Sequence, residues 1–345
     1  VATINDSASS TADKAGQTFR ITSRQNGISG EEGALRALFS IASALDVKAC
    51  MIVHSDPGSI TAEWMELLIR PVLEDSYDYV APVYYRHKYD GIVTNSIIYP
   101  MTRALYGRSV RQPIGGDFAL SRTLVLHCLA GNVWQSNIDR YGMDIWMSTT
   151  AIANGFSVCQ SFLGAKTHNP QDAGADLSEM LYRVLGTMFD LMGTYSNVWK
   201  KVEGSEPVRT FGVRRPAPPG PIRVDVKRII DRFRLGVHHL ADVWKTVLSP
   251  EVLKALAAAG RTPVERFRLP DDVWVETLYQ FALADHEALL HREHLLKSLT
   301  PLYLGRVASF ILAAEKGDDG EIEEMIEALC KEFEARKPAL AEKWQ

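Results

Sequence analysis

The residues with the strongest chemical character in this chain are acids and imidazoles that follow apolar runs. The run KACMIVHSD (48–56) ends in His54-Ser55-Asp56. An apolar strand ending this way puts Asp56 at the carboxyl edge of a sheet, where open α/β folds bind ligands. A carboxylate there suits a divalent ion, because hard cations take oxygen ligands and share their coordination with substrate phosphates. An Asp or Ser at a strand-to-helix turn is equally an ordinary cap. A second run, SVCQSFLGAKTHN (157–169), carries Lys166 and His168 past another strand end. A lone His is more often surface or satisfied core, but an imidazole here could meet Asp56. Together with diphosphate oxygens the pair would suit Mn²⁺ or Mg²⁺.

Two further carboxylates stand in suggestive places. Ile114-Gly115-Gly116-Asp117-Phe118 sets an acid after two glycines, which let a backbone approach a ligand closely. Asp117 could bond hydroxyl groups of a ligand, and is at comparable odds a turn residue. Asp144 in YGMDIW has the same two readings, ligand contact or helix cap. The loop RHKYDGIVTN (86–95) gathers Arg86, His87 and Lys88 as an anion site or an ordinary solvated loop. His238, His239, His286, His291 and His294 form no catalytic grouping, and HEALLH (286–291) lacks the H-E-x-x-H spacing of a zinc protease.

These residues need elements to position them, and residues 1–170 supply an alternation of apolar strands and amphipathic helices, the pattern of a layered α/β domain. Helices are predicted over 30–45, 60–73 (with Thr61 as N-cap), 95–107 (stopped by Gly107), 142–156 and 176–200. Strands are predicted over 48–56, 77–85 and 157–169, with 114–121 a turn entering a strand or short helix. The division expected is a nucleotide-binding domain over 1–202, a Pro/Arg-rich linker over 203–223, and a helical extension of four or five helices over 224–345. The last helix, 321–337, has a narrow apolar stripe and many i,i+4 acid–base pairs, so it is expected on the surface. The start, VATINDSASSTAD, reads as a strand end and turn, as if an earlier strand and helix preceded it.

Composition narrows the partners. With 46% hydrophobic and 23% charged residues the chain is ordinary globular protein, and a net charge of −4 argues against nucleic acid or an anionic membrane. An anionic substrate therefore needs a local device, a cation or a few placed basic side chains. The four cysteines are scattered, Cys50 and Cys159 inside apolar runs, which fits core packing and a cytoplasmic setting. No apolar run is expected to span a membrane.

Taken in order, these segments resemble the GT-A type retaining glycosyltransferases of the glucosylglycerate, mannosylglycerate and glucosyl-3-phosphoglycerate synthase group. The resemblance covers roughly residues 1–215. HKYDGIVTNSIIYPMTRALYG, RQPIGGDFALS and MDIWMSTTAIANGFSVCQSFLGAKTHNP are most similar to the glucosylglycerate synthase branch. It implies an α/β, Rossmann-like nucleotide-sugar-binding domain and a mainly helical C-terminal extension. It also implies transfer of a hexose from UDP- or GDP-hexose to D-glycerate or a similar hydroxy acid, with a divalent metal, and a homodimer.

By the same resemblance, Asp56 and His168 are the metal ligands, with Ser55 inside the D-x-D-like element. Asp117 and Asp144 are the acids near the reacting sugar and acceptor. The acceptor loop is Asp90-Gly91-Ile92-Val93-Thr94, whose backbone amides and Thr94 hydroxyl would hold the glycerate carboxylate; Lys88, Gly115 and Gly116 are further substrate-binding candidates, and Asp6 would contact the nucleoside base. Ile92 falls where phosphoglycerate-using relatives carry Arg, which implies an unphosphorylated acceptor. Ile92→Arg is accordingly expected to move preference toward 3-phosphoglycerate. Two positions depart from the pattern: His54 replaces the first acid of D-x-D, and Glu31-Glu32-Gly33 replaces a G-K-G segment. These motivate a second reading, a catalytically degenerate nucleotide-sugar-binding or scaffold protein. A nucleotidyltransferase ranks last, without a basic Gly-rich phosphate loop.

Overall fold

A computed structural model describes residues 31–53, 60–131, 134, 140–165, 177–213 and 224–345. Its first half follows the predicted alternation. Helix α1 (Glu31–Ala44) precedes strand β1 (Ala49–Ile52), and α2 (Ala62–Leu73) follows. Thr61 caps α2 as its position predicts: its backbone is extended and its hydroxyl accepts from the Trp64 amide at 3.3 Å. Trp64, Leu68 and Val72, spaced by four, form the buried stripe of α2.

Strand β2 (Tyr79–Tyr85) leads through a polar loop to a π-helical turn (Thr94–Ile98) and α3 (Tyr99–Tyr106). Gly107 stops α3 in the left-handed conformation, φ 70°. Then come β3 (Arg108–Ser109), β4 (Phe118–Ser121), α4 (Arg122–Ala130), α5 (Arg140–Ala153) and β5 (Val158–Ala165). The helix expected over 176–200 is α6 (Leu177–Thr194) followed by a short α7 (Ser196–Trp199).

The described strands form a mixed sheet in the order β1-β4-β2-β5-β7, where β7 is Thr210–Phe211. β4 runs antiparallel to both β1 and β2, whereas β2 with β5 and β5 with β7 are parallel. β1, β2, β5 and β7 therefore run one way, and β4 alone runs the other. The carboxyl ends of β1, β2 and β5 share one edge with the start of β4. The registers Ile52↔Phe118 and Tyr85↔Ala165 fix that edge.

Two boundaries differ from expectation. Within the supposed linker, β6 (Glu206–Pro207) pairs with β3 and β7 pairs with β5, so the described part of 203–223 belongs to the sheet layer. Short strands of two residues carry no legible alternation, which is why the segment reads as linker. The extension holds seven α-helices among the described residues: α8 (Val226–His239), α9 (Ala241–Val247), α10 (Pro250–Arg261), α11 (Asp271–His286), α12 (Arg292–Ser298), α13 (Thr300–Ala314) and α14 (Asp319–Lys343). The unforeseen breaks fall at Leu240 and between His286 and Arg292, where neither Gly nor Pro marks them, whereas Pro301 opens α13 as expected.

The last helix is no surface element. α14 buries Ile322, Ile326, Leu329, Cys330, Phe333, Lys337 and Leu340, and packs on α3 and α11. One hydrophobic cluster runs from Phe39 and Ile97 in the first half to Phe333 and Trp344 in the extension, so the two halves share a core. The stretch Arg292–Ala314 has the length and composition of a membrane span, but it is 72% buried in this core.

Candidate functional site

The site is built around the carboxyl end of β2. A β-bulge between Val83 and Tyr84 re-aims the strand there. Gln112 clamps it: the Tyr84 amide donates to Oε1 at 3.2 Å, and Nε2 donates to the Tyr84 carbonyl at 2.9 Å. The Tyr84 phenol, so placed, donates to Oδ2 of Asp117, a fully buried carboxylate immediately before β4. Asp144, in the first turns of α5, is also buried. Burial, then the Asp117 charge and hydrogen bond, with a smaller contribution from Asp144, raise the Tyr84 phenol well above its ordinary value near 10. Burial and Asp144 do the same to Tyr79. Of the two sequence-predicted acids, Asp117 is bonded to Tyr84 at the carboxyl end of β2, and Asp144 acts on the strand's tyrosines through its charge.

The glycines before Asp117 have steric reasons. A Cβ on Gly115 would lie 2.1 Å from Cγ of Pro82 in β2, and Gly116 has φ +81°. The neighbour that Gly115 approaches closely is the Pro82 ring, where the sequence suggested a ligand.

Beyond the end of β2 lies a cleft of about 600 Å³. Its walls are the 83–90 segment, Arg111 and Gln112, Gln160 and Phe162 of β5, and one side of α14. Lys88 lines it, but its ammonium is committed to the carbonyls of Ala314, Glu315 and Gly317 at 2.8, 2.9 and 3.4 Å, where it caps α13. Gly91 takes φ +68° and opens the turn that follows. Val93 and Thr94 are buried and do not line this cleft. Ile92 is buried too, in a cluster with Tyr99, Phe310, Ile311, Ile322 and Ile326. An Arg at that position would displace these core contacts unless the loop moved.

Asp6, Ser55, Asp56 and His168 lie outside the described residues, and so does His54. β1 ends at Ile52, four residues before Asp56 in sequence, and β5 ends at Ala165, three before His168, both at the edge that Asp117 occupies. Three strand spacings separate those two ends, about 14 Å. Among the described residues no group of three or more His, Cys, Asp or Glu is gathered for a metal ion.

Sequence reasoning missed Tyr84, Gln112 and Arg111, and the part α14 takes in the cleft. Arg111 donates to Asn95 Oδ1 at 2.8 Å and meets both oxygens of Glu323 at 3.1 and 3.3 Å. Tyr85 donates to Asp319 at 2.8 Å. Each pair joins residues more than two hundred positions apart or a segment without periodicity, so no local signal marks them.

No protein-family profile matches the chain, and no curated protein matches it. Among solved structures it is similar to glucosyl-3-phosphoglycerate synthase from Mycobacterium tuberculosis. One such structure, in complex with Mg²⁺ and uridine diphosphate, aligns at TM-score 0.39 and 20% identity over 49% of this chain and 57% of that one. Another, with Mn²⁺, UDP-glucose and phosphoglyceric acid, aligns at TM-score 0.38 and 18% identity over 52% and 61%. The chain thus spans less than two thirds of the length of either structure.

Proposed function

We propose that this chain is a metal-dependent, retaining GT-A type glycosyltransferase that moves a hexose, glucose first among candidates, from a nucleoside diphosphate sugar to D-glycerate or a similar small hydroxy acid. The observation that carries this reading is the shared sheet edge. There β1 ends at Ile52 and β5 at Ala165, at the same edge as the buried Asp117. Asp56 and His168, which follow these strands in sequence, have the donor chemistry that Mn²⁺ or Mg²⁺ takes. Such a cation, when bound, would stabilise the negative charge of a departing diphosphate.

The chain's own residues do the positioning. Asp117 and Asp144 accept hydrogen bonds from sugar and acceptor hydroxyls and do not serve as nucleophile. Tyr84 holds Asp117 in place, and Gln112 holds Tyr84. The cleft under α14 is the acceptor's place, bounded by the 86–95 loop that the resemblance assigns to it.

A second reading, a degenerate nucleotide-sugar-binding protein, is favoured by Glu32. This acid stands where the family pattern has a Lys. It is buried, its Oε1 has no partner among the described residues, and burial raises its pKa. Titration calorimetry with UDP-glucose and GDP-glucose, with and without Mn²⁺, followed by a product assay with D-glycerate, separates the two. Metal-dependent donor binding with product formation is expected. Binding without product would favour the degenerate reading.

A further inference from the structure

We propose that the Arg86 guanidinium anchors a single carboxylate in the cleft, and that Glu323 on α14 sets a charge balance there that disfavours a phosphate dianion. The proposal rests on the transfer reading above and names the acceptor class of that site.

Among the described residues three cations line the cleft, Arg86, Lys88 and Arg111, and so do three carboxylates, Asp90, Asp319 and Glu323. Burial first and the Lys88 charge second lower the pKa of His87 from its ordinary value, which favours the neutral imidazole. The formal sum is zero. Two of the cations are fully engaged: Lys88 by three carbonyls, and Arg111 by Asn95 and both oxygens of Glu323.

Arg86 differs. Its side chain is only 17% exposed, its nearest carboxylate, Asp90, stands 3.8 Å away, and its buried Nε has no hydrogen-bond partner among the described residues. Nε is closed off from solvent, so what the cleft can offer a ligand is the terminal nitrogens of the guanidinium fork, and an incoming carboxylate would take charge-assisted bonds from them. The fork is held for that purpose. Its carbon lies 5.6 Å from the centre of the Tyr84 ring, and a Cβ on Gly91 would stand 3.6 Å from both Cδ and Nη1. Tyr84 couples this point to the sheet edge, its ring beside Arg86 and its hydroxyl on Asp117.

One carboxylate brings the cleft to −1. A phosphorylated hydroxy acid would bring it to about −3, with Lys88 and Arg111 already occupied. Glu323 is the residue that keeps Arg111 occupied, so it acts as a specificity determinant from the helical extension.

The test is calorimetry in the presence of UDP and Mn²⁺, with D-glycerate and 3-phosphoglycerate as titrants, on wild type, Arg86→Gln, Arg86→Lys and Glu323→Gln. Wild type is expected to bind D-glycerate about tenfold or more tighter than 3-phosphoglycerate. Arg86→Gln should lose about tenfold or more in D-glycerate affinity, with UDP affinity and melting temperature unchanged, and Arg86→Lys should recover part of it. Glu323→Gln should raise affinity for 3-phosphoglycerate. Wild type that binds neither acid, or prefers the phosphorylated one, overturns the proposal, as does an Arg86→Gln variant that binds D-glycerate normally. Arg86-dependent D-glycerate binding without hexose transfer would sink the transfer reading and leave the anchor standing. Transfer with an unchanged D-glycerate KM in Arg86→Gln would do the reverse.

Discussion

Tyr84 and Asp117, 33 positions apart in sequence, are joined by a buried hydrogen bond from phenol to carboxylate. The bond ties the end of β2 to the start of β4 at the edge where β1 and β5 also end. It also connects two regions with different chemistry, the buried acids behind Tyr84 and the charge-balanced cleft that its ring helps to line. A carboxylate held this way keeps a fixed orientation, which a hydroxyl-positioning group needs.

Tyr84→Phe removes that donor and leaves the ring in place. Asp117 keeps its other contacts but loses one bond in a buried setting, so stability should fall by about 1–3 kcal/mol. Urea denaturation should show a lower midpoint with unchanged slope. Hexose transfer should fall about tenfold or more in kcat. Unchanged stability and unchanged kcat together would mean that the bond positions nothing.

The same burial sets a pH dependence. Tyr79, Tyr84 and Tyr279 are all raised well above 10, burial being the largest cause for each. In the unfolded chain these phenols titrate near 10. Below that pH both states hold the protons and the stabilisation is complete. Above it only the unfolded chain releases them, so stability falls as pH rises. Urea midpoints should drop from about pH 10 upward, with the buried tyrosines ionising only as helical circular dichroism is lost. Tyrosinate absorbance from all twelve tyrosines in a fully helical protein would contradict this.

Gly115→Ala places a methyl against the Pro82 ring, which β2 cannot move without disturbing Tyr84 two residues on. The cost should be about 1–3 kcal/mol by thermal or chemical denaturation. Activity should fall with it, because Asp117 is two positions away. A neutral substitution would show that the 114–117 turn can shift freely.

The sequence made legible those features whose cause is local. Thr61, Gly107, the buried cysteines and the strand–helix alternation each follow from a residue's own conformational or apolar preference. What stayed hidden depends on distant partners. The acids of α14 read as pairs within one helix, yet Glu327 and Glu334 meet the buried Arg103 and Glu323 meets Arg111. Lys88 reads as an anion ligand in its loop, but its carbonyl partners lie more than 220 positions away. The segment 206–211 reads as linker because two-residue strands gain order only from the strands they join.

Asp56→Ala and His168→Ala should each abolish Mn²⁺-dependent transfer while leaving circular dichroism and urea midpoints as in wild type. Both residues follow strand ends and precede polar segments, so neither is expected to support the core. Chelation of the metal should reproduce the loss in wild type and be reversed by added Mn²⁺. Near-normal turnover in either variant would remove that residue from the metal site.

Ile92 separates packing from specificity. It docks the 86–95 loop on the extension through Phe310, Ile311, Ile322 and Ile326. Ile92→Val, which trims one methylene, should cost about 0.5–1.5 kcal/mol and leave acceptor preference alone. Ile92→Arg would bury an unpaired cation among those side chains, at a cost of about 3–5 kcal/mol. Its expected signature is a large fall in melting temperature without a gain in 3-phosphoglycerate affinity. Had the loop been free to turn, the guanidinium would reach the cleft and phosphate binding would rise at little cost in stability. Measuring both quantities on the same variant therefore decides whether acceptor choice resides in the loop or in the helix packed on it.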